Sequence, residues 1–115
     1  MDDAVQHYID AIAPEYRPLF DRLHGLVLRV RPDAELLLSY GMPCYRVGRR
    51  RLLLGVWQHG VSVYGWSRSG DAGFTARHPG LTSGRGTVRL RPEDAAEIPD
   101  QEFQALFQAV FDFDG

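Results

Sequence analysis

Apolar residues recur along the chain first at helical and then at strand spacing. Val5, Tyr8, Ile9 and Ile12 share one face of a helix that Asp2 or Asp3 can cap and that Ala13 and Pro14 end. Phe20, Leu23, Val27 and Val30, widened by Leu19 and Leu26, predict a second helix starting between Glu15 and Arg17. Pro18 is tolerated in its first turn, where amides have no intrahelical partner, and Pro32 stops it. Gly25 interrupts the pattern at a cost of about 1 kcal/mol against alanine, which a packed helix survives.

Strand patterns follow. Leu36 to Tyr40 enters, and Cys44 to Val47 leaves, the stretch Ser39, Tyr40, Gly41, Met42, Pro43, Cys44, Tyr45, Arg46. Gly41 and Pro43 predict a tight corner there, where helices hand over to sheet. Gly48 and Arg49 suit a two-residue hairpin turn before a strand from Leu52 to Trp57. Its run of three leucines lacks alternation, which predicts a central strand covered on both faces or twisted at Gly55. Val61 to Trp66 alternates as a half-buried strand does, and Thr87 to Arg91 places Val88 and Leu90 inward and Thr87, Arg89 and Arg91 outward. Between these strands, residues 67–84 predict a loop with one helical turn around Asp71 to Arg77. Glu93 to Pro99 reads as a loop, and Asp100 caps a last helix buried through Phe103, Leu106, Phe107, Val110 and Phe111. The expected fold is α+β: a mainly antiparallel sheet of about five strands with two N-terminal helices and one C-terminal helix packed on it.

Composition narrows the partners more than the fold. The 115 residues suit one domain, and 44% apolar with 24% charged residues is ordinary globular composition. A net charge of −2 gives no general attraction to nucleic acid, and no apolar run approaches a membrane span. One cysteine permits no internal disulfide, and the N-terminus lacks a secretory pattern, so a cytoplasmic location is expected. All 13 Lys/Arg positions are arginine, and after Arg91 only acidic charges follow. Arg49, Arg50 and Arg51 cluster at one hairpin, which suits a soluble edge better than a phosphate-binding stripe.

The stretch Ser39 to Arg46, the paired strands around Gly55 to Trp66, and Gly84, Arg85, Gly86, Thr87, Val88, Arg89 together resemble the YdhG-like family of bacterial domains of unknown function. Arg85 stands where that family usually has lysine. The resemblance implies a frataxin-like α+β domain, and some members are described as frataxin-like iron chaperones. By that likeness Asp3, His7 and Asp10, at helical spacing on one strip of the first helix, are the candidate iron ligands. The competing reading of the strip is a solvated polar face.

A second candidate comes from the strands themselves. Tyr40, Tyr45, Trp57 and Tyr64 crowd consecutive strands with Arg46, Arg85 and Arg89 near, as a pocket for a small anionic ligand or an acidic partner needs. Large aromatics packing a small sheet explain the same residues without a ligand. Cys44 could act as a nucleophile lowered by Arg46, with His59 or His78 approaching in space. A lone cysteine opening a strand also serves as a small core hydrophobe, so the domain is read as a binding module rather than an enzyme.

Overall fold

A computed structural model of the chain describes residues 3–65, 70–82 and 86–112. The elements in order are α1 (Asp3–Asp10), α2 (Arg17–Val30), β1 (Glu35–Ser39), β2 (Met42–Val47), β3 (Arg50–Trp57) and β4 (Gly60–Tyr64). After them come α3 (Phe74–Arg77), a short 3-10 turn (Pro79–Leu81), β5 (Thr87–Leu90), α4 (Pro92–Ala96) and α5 (Asp100–Asp112). The five strands form one antiparallel meander in the order β1-β2-β3-β4-β5. No helix among the described residues is long and apolar enough to cross a membrane.

The register divides the sheet into two faces. Tyr45 pairs with Leu52, Leu54 with Val63 and Val63 with Val88, and Val56 with Val61 and Val61 with Leu90. Helices α1, α2 and α5 close over this inner face with Val5, Ile9, Phe20, Leu23, Val27, Phe103, Leu106 and Phe107. Burying each such side chain fully is worth about 1.5–3 kcal/mol, so this layer holds the domain together. The outer face carries Leu37, Cys44, Leu53 and Tyr64 in one cross-strand row. Ser62 pairs with Gly55 on one side and Arg89 on the other in the next row. A Cβ placed on Gly55 would meet Met42 Sδ at 2.9 Å and Tyr64 at 3.5 Å, because both side chains fold over that bare backbone. Leu53 and Leu54 are thus buried on opposite faces of the central strand, as the unbroken leucine run requires.

Three local outcomes differ from the sequence pattern. The corner at Gly41 is a two-residue hairpin turn inside the sheet, with Tyr40 at φ 51° and Gly41 at φ 74° and Ser39 paired to Met42. Positive φ at both central residues matches the right-handed twist of the flanking strands. Helix α1 ends at Asp10, ahead of the expected Ala13, although Ile12 is still buried. The segment expected as a loop after Arg91 begins with helix α4: Pro92 fits its first turn, and the Asp94 carboxylate accepts the Arg91 N–H at 3.1 Å. Arg22 ties that helix to α5 by donating to Ala95 O (2.9 Å), Ile98 O (2.6 Å) and Asp100 Oδ1 (2.8 Å).

Candidate functional site

The end of β3 carries Trp57 on the outer face, beside the row of Ser62 and Arg89. The Arg89 guanidinium lies 5.2 Å from the Trp57 ring centroid, and His59 meets the same indole edge-on at 5.2 Å. This cation–aromatic contact orients the arginine while leaving its N–H groups free to donate. Trp57 Nε1 and Ser62 Oγ are buried without a hydrogen-bond partner. A buried polar atom left unpaired costs about 1–3 kcal/mol, and both belong to residues next to Arg89.

A cavity of ≈ 280 Å³ opens there, lined by Trp57, Leu81, Thr82, Arg89, Arg91 and Asp94. No ion pair of Arg89 or Arg91 occurs among the described residues. The one acid in the wall, Asp94, already accepts the Arg91 N–H, and the Thr82 hydroxyl donates to Pro79 O at 2.9 Å. The cleft therefore offers two guanidinium groups against an apolar wall of Trp57 and Leu81. Donors of this kind accept an oxyanion, and the planar forks of arginine suit carboxylate and phosphate alike.

The residues expected from the sequence do not converge as one pocket. Trp57 and Arg89 touch, and Tyr64 lies over Gly55 on the same face. Tyr45, expected as a pocket wall, faces the helices instead: it is 0% exposed, and its hydroxyl lies 2.7 Å from His24 Nδ1. The physical reason is register, since Tyr45 pairs with Leu36 and Leu52 of the inner face. Tyr40 is 85% exposed at the hairpin turn, and Arg46 is paired with Glu35 in another row of the outer face. Arg85 lies outside the described residues.

Asp3, His7 and Asp10 are all exposed on α1, where Gln6 donates to Asp10 Oδ1 at 2.9 Å. Among the described residues no group of three or more His, Cys, Asp and Glu side chains could hold a metal ion. Cys44 is 0% exposed, and burial pushes its thiol up despite the opposing pull of Arg51 and Arg46. His59 packs on Trp57 and His78 pairs with Glu102 at 2.9 Å, so both histidines are engaged elsewhere.

Arg91, Leu81 and Thr82 line the cleft without having been singled out as site residues in the sequence. For Arg91 a sign was present, since it continues the outward row of Thr87 and Arg89. Comparisons with family models, with curated proteins and with solved structures found no match to this chain. The likeness to YdhG-like domains rests on the residues quoted above.

Proposed function

We propose that the domain is a binding module that captures an anionic group, of a small ligand or of an acidic partner, in the cleft of Trp57, Arg89 and Arg91. The observation that carries this reading is a cleft walled by two arginines without an ion pair among the described residues, one of them held against the Trp57 ring. An arriving oxyanion would accept hydrogen bonds from these guanidinium groups, and each hydrogen bond to a charged group is worth about 1.5–3 kcal/mol net. Iron held by Asp3, His7 and Asp10 finds no comparable feature on α1.

The test follows the Trp57 indole N–H by NMR while sodium acetate or inorganic phosphate is added, with Trp57→Phe assigning the resonance. The signal should shift in a saturable way, and Arg89→Ala should weaken binding about 10- to 100-fold, one charged hydrogen bond in size. An indole resonance that ignores both anions, or that responds equally in Arg89→Ala, would overturn the reading.

A further inference from the structure

The cleft is the middle of a longer furrow. Arg91 also walls a ≈ 210 Å³ hollow bounded by Glu15, Tyr16, His59 and Glu93. On the other side Leu81 and Asp94 are shared with a ≈ 330 Å³ hollow completed by His78, Glu97 and Ile98. Helix α4 is common to all of it, lending Pro92 and Glu93 to one end, Asp94 to the centre and Glu93, Asp94 and Glu97 (just past its last turn) to the other. The first wall is held in place by the Tyr16 hydroxyl, which donates to Gln58 O at 3.0 Å. Hollows of this size sit at or below the small end of pockets for whole ligands. Joined in series, they suit a chain that sends one side chain into each.

Charge changes sign twice along the furrow. Glu15 and Glu93 border the first hollow, Arg89 and Arg91 the middle one, and Glu93, Asp94 and Glu97 the third, where Leu81 and Ile98 add apolar wall. Building on the anion reading of the central cleft, we infer that the furrow docks an extended peptide segment of a partner protein in which one carboxylate stands between two cationic side chains. The central aspartate or glutamate meets Arg89 and Arg91. A lysine or arginine on one side meets Glu15 and Glu93. On the other, a long basic side chain lays its methylene stem over Leu81 and Ile98 and brings its charge to Glu97.

Fluorescence anisotropy on the full chain tests the order of charges with three labelled peptides: Lys-Ala-Glu-Ala-Lys, its inversion Glu-Ala-Lys-Ala-Glu, and Gln-Ala-Glu-Ala-Gln. The first should bind about tenfold more tightly than the third, the scale of two exposed ion pairs, and the inversion weakest of all. Glu93→Gln with Glu97→Gln, both exposed positions, should erase the advantage of the lysines. If the three peptides bind alike, or none binds, while acetate still shifts the Trp57 indole, the peptide inference falls and the anion site stands. If acetate also leaves the indole unmoved, the anion reading falls and takes the inference with it.

Discussion

Tyr45→Phe separates a tyrosine that holds the core from one that binds a ligand. The ring is fully buried against the helices, so phenylalanine keeps its packing and removes only the hydroxyl that lies 2.7 Å from His24 Nδ1. A neutral hydrogen bond of this kind contributes about 0.5–1.5 kcal/mol net, which sets the expected loss at about 1 kcal/mol. With an unfolding entropy of about 2.1 cal/mol/K per residue over 115 residues, that loss lowers Tm by about 4 °C. The burial of His24 also makes stability depend on pH. Burial lowers the His24 imidazole below its ordinary value of 6.5, against the pull of nearby Asp21 and with a smaller push from Arg17. As pH falls past about 6.5 the unfolded chain therefore takes up the proton first, and stability declines from there down to the lowered folded value; above about pH 7 the effect is absent. Urea unfolding at pH 7.5 and pH 5.5 measures both effects, with His24→Gln as the control that removes the titrating group. Tyr45→Phe should be weaker than the parent at pH 7.5, and His24→Gln should show a smaller acid-induced loss. Equal stability of Tyr45→Phe and parent, or equal acid sensitivity of His24→Gln and parent, would refute the reasoning. A Trp57 indole response to acetate that vanished in Tyr45→Phe would return the tyrosine to the binding site.

Two further substitutions probe local geometry. Tyr40 occupies a left-handed conformation that costs an ordinary residue about 1–2 kcal/mol, and its ring is largely in solvent, so Tyr40→Asn should raise Tm by a few degrees, about 0.5–1 kcal/mol; a fall in Tm counts against the turn assignment. Arg22→Ala should cost about 2–3 kcal/mol in urea unfolding through the two backbone carbonyls it leaves unpaired, with faster amide exchange over residues 92–99; unchanged exchange there would show that another contact joins α4 to α5.

Much of the inner layer was legible because period and chemistry agreed. Leu52, Leu53 and Leu54 announced a central strand, Gly48 and Arg49 a hairpin turn, and the apolar stripe from Phe103 to Phe111 the last helix. The turn at Tyr40 and Gly41 was misread because tyrosine is a poor left-handed residue, so the conformation looked to belong to Gly41 and Pro43 alone. Tyr45 was grouped with the pocket aromatics by residue type, whereas its register pairs it with Leu36 and Leu52 of the inner face. Helix α4 carried the marks of a helix start, proline in the first turn and an acid two residues later, but at five residues it is too short for apolar periodicity to show. The cleft was only half visible. Trp57 and Arg89 stood out by type and Arg91 by the outward row it shares with Arg89, whereas Leu81, Thr82 and Asp94 come from segments that no spacing rule connects to them.

The packing of α5 against α2 and β3 also bears on how the chain is made. Phe103, Leu106, Phe107 and Val110 fill the centre of the inner layer from late in the sequence. The strands before them pair with sequence neighbours and can form locally, while α2 waits with one side bare. During synthesis Leu52 and Leu54 of β3 therefore lack the part of their cover that α5 supplies until residue 111 has cleared the ribosome. A pause in translation between β5 and α5 would expose that surface at the moment when a growing chain is most prone to stick to its neighbours.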